Sequence, residues 1–328
     1  MGAIHARSLA TSDSIDAVAV VDAVPAVGDA VAHEIGARSH SSLAGLLEQD
    51  DIEAWLIATP TATHPAMVTT ALEAGLHVLC EKPLALDLDE SEAIGVLAES
   101  TGRVLQLGFW RRFSPPWAAA KDLIDAGAIG RPLMLRLAQW DADPPPPAFC
   151  DPRVSGGLAI DCGVHEFDLV EWLTGLPVER VDAWNLPLVD EAVGASGDVD
   201  NLVAVLGLSG GAVATVDLTR NCRYEDDVRT EILGEQGAIF VDLLPVGRTR
   251  LATSSGVEVV SGSETEDAFV AGIVAQAEAF AAAVRGEAVD VPDAAASTHA
   301  VRLGRAVQEA AATRAPITLR TQGSPHRM

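Results

Sequence analysis

Short, nearly all-apolar runs alternate with helix-patterned stretches over the first third of the chain. The runs are DAVAVVDA (16–23), IEAWLIATP (52–60), HVLCE (77–81) and RVLQLGF (103–109), and the stretches at 25–36, 41–49, 64–75 and 88–101 read as helices. Apolar strands separated by helices predict a parallel sheet covered on both faces. After about residue 112 the pattern changes. One helix (114–127) leads to a strand near 132–140 and then to DADPPPPAFCDPRVSGG, which proline and glycine make a loop. GLAIDCGVHEFDLVEWLTG (157–175) predicts a single helix. Strands at 178–186, 201–208, 212–220 and 228–234 follow with no helix between them, and extended segments continue to about 260. That succession predicts a large, mostly antiparallel sheet. Ala-rich helices at 266–285 and 293–314 precede a tail, TQGSPHRM, that reads as a frayed end. The expected fold is thus α/β, with a parallel-sheet domain at 1–112 and a substrate-binding and oligomerisation α+β domain at 113–328. LVAVLGLSGGAVATVDL is apolar on both faces, which predicts a sheet whose second face is buried in a homo-oligomer, a dimer or tetramer.

Composition narrows the partners. An apolar fraction of 48% excludes disorder, and no apolar run reaches membrane-spanning length. A formal charge of −25 would repel nucleic acid and anionic membrane, so a small neutral substrate fits better. The first residues show no charged-then-apolar export pattern. Cys80, Cys150, Cys162 and Cys222 are scattered without Cys-x-x-Cys, which suits reduced thiols in the cytoplasm and argues against a zinc site.

The third apolar run ends abruptly in Glu81-Lys82-Pro83 and restarts at once in Leu84, Ala85 and Leu86. Of 22 basic residues only Lys82 and Lys121 are lysines, so a lysine at 82 hints at a compact ammonium able to change protonation state. A solvated strand end is the plainer reading. A Rossmann-type parallel sheet binds a dinucleotide at a Gly-rich first turn. Here the chain opens MGAIHARSLA, a helix start with Gly2 and no strand before it. Asp22, at the end of AVAVV, stands where a carboxylate would hydrogen-bond an adenosine ribose. No arginine follows it to receive a 2′-phosphate, so NAD is favoured over NADP. Asp22 capping the helix that begins near Pro25 stands as the alternative. Asp161, His165 and Asp168, at spacings of four and three, fall along one helix face. They read as a solvated stripe or a metal site, and no second His or Cys cluster supports the metal.

MGAIHARSL, IATPTATHPAMVTTALEAGLHVLCEKPLAL, GFWRRF and SGGLAIDCGVHEFDLVEWLTG resemble, in order and spacing, the Gfo/Idh/MocA oxidoreductases. The run from Asp and prolines through Ser-Gly-Gly to Asp-x-x-x-His-x-x-Asp looks most like the inositol dehydrogenase branch. The resemblance implies an NAD-dependent dehydrogenase of a cyclic polyol or sugar. It implies that Lys82, often across a cis Lys-Pro bond, meets the nicotinamide and the reacting alcohol. It implies too that Asp161 and His165 meet that alcohol, with His165 the general base. Asp168 is then a helix-surface or supporting residue. Ala58, Thr59, Pro60 and His64 match the cofactor segment, with a purely structural role open for His64. Glu81 and Arg111 match nicotinamide-side residues, and Trp140 and Asp141 are expected to line the substrate pocket.

Two departures bear on the substrate. Gln139-Trp140-Asp141 stands where inositol dehydrogenases tend to carry His-x-Asn, and Tyr224-Glu225-Asp226-Asp227 where they often read Tyr-Gly-Tyr-Asp. The resemblance therefore supports a polyol or sugar without fixing myo-inositol. A non-catalytic dinucleotide or sugar sensor of the same fold is the alternative, which the joint retention of Lys82, Asp161 and His165 disfavours. An inactive truncated product is another. The sheet's first strand and first glycines are missing ahead of Gly2, which predicts a natural start roughly ten to fifteen residues upstream. The chain of 328 residues is on that reading expected to bind NAD poorly and unfold easily.

Overall fold

The computed structural model describes residues 1–43, 46, 52–142, 144–186, 188–243, 248–262 and 267–319. Most of the helix expected at 41–49, and the tail at 321–328, lie outside the described residues. Two compact units divide the chain: Met1–Ser114 with Phe269–Thr298, and Pro115–Ala268 with His299–Met328.

In the first unit the apolar runs become short parallel strands. β1 (Ala19–Val21) pairs with β2 (Arg38–His40), while β3 (Ala54–Ile57), β4 (His77–Cys80) and β5 (Leu105–Leu107) form a second ladder. β2 was not foreseen, because Arg38-Ser39-His40 has no apolar run to mark it. Helices Pro25–Ile35, His64–Glu73 and Leu88–Thr101 alternate with the strands as the pattern predicts. Their ends follow local chemistry. Asp87 caps the last by accepting the Glu90 N–H at 3.0 Å, and Gly102 ends it at φ 63°. Val78, Leu79 and Cys80 are all buried, which is why β4 reads as continuously apolar. The segment 269–298 completes this core. Pro292 O accepts the Leu107 N–H at 2.8 Å, and Ser297 Oγ accepts the Leu84 N–H at 2.9 Å.

The second unit is built on one sheet of nine strands. These are β6 (Pro132–Trp140), β7 (Val178–Asn185), β8 (Asn201–Leu208), β9 (Val213–Thr219), β10 (Asp227–Gly234), β11 (Gly237–Asp242), β12 (Arg248–Thr253), β13 (Gly256–Gly262) and β14 (Ile317–Thr318). Their order is β13-β12-β11-β10-β6-β9-β8-β7-β14, antiparallel throughout except for the parallel pair β6–β9. Burial alternates along β8, with Leu202, Ala204, Leu206 and Leu208 inside. One face therefore packs on helices, and the helix Gly163–Thr174 lies against β6 and β9. The other face carries the half-exposed Val203 and Val205.

The helix expected over 157–175 is broken. Leu158–Asp161 and Gly163–Thr174 are separate helices that meet at Cys162. Glycine at 163 is a weak helix former. It is also tightly enclosed, since a Cβ there would lie 2.9 Å from the Phe167 ring and 3.0 Å from Leu218. Asp161 is thus set apart from the helix that carries His165 and Asp168.

Candidate functional site

Ligands in parallel sheets gather beyond the carboxyl ends of the strands. In the first unit β4 runs out at Cys80 into Glu81-Lys82-Pro83, where the Lys82–Pro83 peptide is cis. The turn is fixed on both sides: the Glu81 N–H donates to Ile57 O at 2.8 Å, and the Gly108 N–H donates to Cys80 O at 2.8 Å. Leu84 and Ala85, directly after it, are fully buried and anchor it in the core. Lys82 is half-buried.

Glu81 is held from three directions. His5, only 1% exposed, brings Nε2 to 2.6 Å from Glu81 Oε1, and the Lys82 N–H points at Oε2 from 3.3 Å. Gly108 closes over the carboxylate, since a Cβ there would stand 2.9 Å from Oε2 and 3.1 Å from the Glu81 Cα. Burial alone would push the Glu81 carboxyl up; the hydrogen bond from His5 and the charges of His5 and Lys82 outweigh it, so it titrates below the usual carboxylate value. Sequence reasoning missed His5, whose partner lies 76 positions away.

His64 is buried, with Nδ1 2.8 Å from Pro83 O and Nε2 2.9 Å from Thr59 O. It ties the end of β3 to the lysine turn, which is the structural role left open for it. Thr59 Oγ1 meets Thr63 Oγ1 at 2.7 Å, so Ala58-Thr59-Pro60 folds into a defined bend. Gly2 opens the helix Gly2–Leu9, and a Cβ on it would lie 3.8 Å from that of Ala58. Asp22 leaves the end of β1 half-buried, and its Oδ1 accepts the Val24 N–H at 2.7 Å just before the helix at Pro25. Arg111 is buried, its guanidinium 5.6 Å from the Trp110 ring centre, and Trp110 stands edge-on to Phe269 at 4.8 Å.

The second unit gathers the other predicted residues. His165 and Asp168, three apart on the helix Gly163–Thr174, are both buried, which excludes the helix-surface alternative for Asp168 and leaves the supporting one open. Asp161 is oriented by a residue that spacing did not reveal: Arg220, fully buried, sets Nη2 3.1 Å from Asp161 Oδ2 and Nη1 2.6 Å from Asp198 Oδ2. At the end of β6, Asp141 receives Gln139 Nε2 at 3.1 and 3.2 Å. The Cys162 thiol stands between two carboxylates, 3.3 Å from Asp141 Oδ2 and 3.8 Å from Asp161 Oδ2, and its one proton can go to either. Trp140 carries the Arg229 guanidinium 4.6 Å from its ring centre, and Tyr224 donates its hydroxyl to Asp227 Oδ2 at 2.6 Å. That bond, with a second involving Cys222, raises the Tyr224 hydroxyl well above its ordinary value.

Among the described residues no group of three or more His, Cys, Asp and Glu side chains could hold a metal ion. The groups present suit hydrogen-bonding and proton transfer: a lysine at a strand end, a buried histidine, and carboxylates held by arginine, amide and thiol.

Comparison with known proteins agrees over most of the chain. Residues 1–109 match the model of an oxidoreductase family with an NAD-binding Rossmann fold, and residues 117–240 match that of the GFO/IDH/MocA C-terminal domain. The chain is 35% identical over 258 residues to a scyllo-inositol 2-dehydrogenase (NAD(+)) of Bacillus subtilis, covering 78% of this chain and 75% of that protein. It is 34% identical over 243 residues to a myo-inositol 2-dehydrogenase of Thermotoga maritima, covering 74% and 72%. Its structure is similar to that of a scyllo-inositol dehydrogenase from Lactobacillus casei with bound NAD(H) and scyllo-inositol, at TM-score 0.82 and 26% identity over 97% of this chain and 95% of that one.

Proposed function

This chain belongs to the Gfo/Idh/MocA oxidoreductase family, and on that footing we propose that it oxidises a secondary alcohol of an inositol-like cyclic polyol or sugar to the ketone, with NAD as hydride acceptor. One observation carries the reading. Lys82 leaves the carboxyl end of β4 in the NAD-binding segment, on a turn that His5, through Glu81, and His64, through Pro83, hold in place. A non-catalytic sensor of the same fold is not favoured.

Bound NAD supplies the electrophilic nicotinamide C4 that takes the hydride. The residues at hand fit it. Gly2 offers a helix N-terminus without a side chain for the pyrophosphate, Asp22 a carboxylate at the strand end for the ribose, and Ala58-Thr59-Pro60 a fixed bend. Glu81 and Arg111 are assigned to the nicotinamide side. In the chemistry, His165 takes the hydroxyl proton as general base, and Lys82 donates a hydrogen bond to the same oxygen as alkoxide character develops. Asp161 accepts from a substrate hydroxyl, while Trp140 and Asp141 line the pocket. A screen for NADH formation over inositols, aldoses and sugar acids tests the reading; no NADH from any of them would sink it.

The protein is further assigned to a homo-oligomer, dimer or tetramer, in the cytoplasm. The open face of the large sheet supports the first: Trp184 pairs with Val203, Val205 follows, and Val213 and Leu233 flank Met134. Trp184, Val213 and Leu233 are 50%, 38% and 44% exposed, an apolar patch that suits a second copy. The four cysteines are buried thiols outside any disulfide, which fits a reducing compartment. No helix among the described residues is long and apolar enough to cross a membrane.

A further inference from the structure

We infer that Arg220 and Asp198 form a positioning pair that aims the carboxylate of Asp161 at the substrate. The inference rests on the assignment of Asp161 to the substrate.

Three charges meet here, and their burial differs. Arg220 has a side-chain exposure of 0% and Asp198 of 5%, whereas Asp161 keeps 19%. The guanidinium is permanently charged, so a buried cation here requires a buried anion. Asp198 meets that need at 2.6 Å, closer than the 3.1 Å to Asp161. Asp198 is itself anchored, with its two oxygens 3.1 and 3.0 Å from the Leu158 N–H at the start of the helix that ends in Asp161. It sits against Gly157, where a Cβ would lie 2.7 Å from Asp198 Oδ1 at a backbone φ of +76°. Gln308 Nε2 fastens the same turn by donating to Gly156 O at 2.6 Å.

Arg220 therefore orients Asp161 through Oδ2, while the closer and more deeply buried Asp198 holds the guanidinium in place. The break in the helix at Cys162 explains the need for such a clamp. Asp161 ends a helix of only four residues and cannot rely on the longer helix for its direction.

The test is a double-mutant cycle on the complete protein with NAD and an oxidised polyol. Arg220→Lys keeps the charge but loses the two-armed geometry, and Asp198→Asn keeps the shape but removes the balancing charge. Each is expected to lower kcat by at least about tenfold, as misplacement of a substrate-contacting group does, with the Kd for NAD within about twofold of the parent. In an Asp161→Asn background, Arg220→Lys should cost less than about twofold more, because the group it aims is already gone. Multiplicative losses in the double variant would overturn the proposal. So would parent-like kcat per folded molecule in both single variants, with folding checked by thermal melt. If Asp161→Asn alone leaves kcat unchanged, the assignment of Asp161 itself fails and the proposal with it.

Discussion

His5 and Glu81 meet across 76 positions of sequence, the imidazole Nε2 lying 2.6 Å from the carboxylate Oε1 beside the turn that carries Lys82. Both are buried, so the pair fixes the residue next to the lysine with little competition from water. A buried, charge-assisted bond of this kind contributes about 1.5–3 kcal/mol. His5→Ala should lower stability by that order and reduce turnover with it, as a denaturant melt and an NADH assay would show. An unchanged melt would contradict the role.

The same pair sets a pH dependence. The Glu81 carboxyl is lowered in the folded protein from its ordinary 4.5. Its stabilising contribution is therefore fully present above pH 4.5 and is lost as pH falls from there through the lower folded value. Glu81→Gln should flatten this part of the stability curve below pH 4.5 and leave its shape near neutrality alone. An acid limb identical to the parent's would count against it.

Gly108 has a steric reason to be glycine. A methyl group there would stand 2.9 Å from Glu81 Oε2 and 3.1 Å from the Glu81 Cα, and the backbone atom cannot swing aside. Gly108→Ala should destabilise by about 1–3 kcal/mol, the range for overpacking, and weaken NAD binding. Thermal unfolding and a cofactor titration check both.

Cofactor choice is assigned to Asp22. A carboxylate at the end of β1 repels a 2′-phosphate, so the parent should prefer NAD over NADP, and Asp22→Asn should narrow the preference by about tenfold or more. Comparing kcat/KM for the two cofactors decides it, and a parent preference for NADP would reverse the assignment.

His165 is assigned as the base. His165→Ala should cut kcat by at least about a hundredfold, the loss expected of a positioned acid–base group. The Kd for NAD should hold. Activity close to the parent's would remove His165 from the mechanism.

Much of the fold is legible in the sequence because burial on both faces makes β4 and β5 read as apolar runs. β8 and β9 were legible for another reason: their alternation is regular, and only the single 3-10 turn Ser209–Gly211 separates them. The short helix Glu191–Ala195 between β7 and β8 was not expected, since five residues opened by an Asp190 cap carry no helical period. What escaped did so for physical reasons. β2 is three polar residues long and carries no hydrophobic signal. The helix at 157–175 breaks where Gly163 packs on Leu218 of β9, a tertiary contact that no spacing encodes. His5, Asp198 and Arg220 act through partners distant in sequence, so a reading of local spacing passes over them. His5 did leave a trace, standing three residues after Gly2 in a stretch whose resemblance to the family was already noted. Arg220 and Asp198 left none that separates them from ordinary surface charges.

The central claim is hydride transfer from a cyclic polyol assisted by Lys82. Its most direct test is NADH formation with myo-inositol, scyllo-inositol and a panel of sugars, run on the parent and on Lys82→Ala at equal NAD saturation. The account predicts NADH from at least one cyclic polyol or sugar with the parent, and a rate at least about a hundredfold lower in the variant. NADH formed equally fast without the lysine would contradict it.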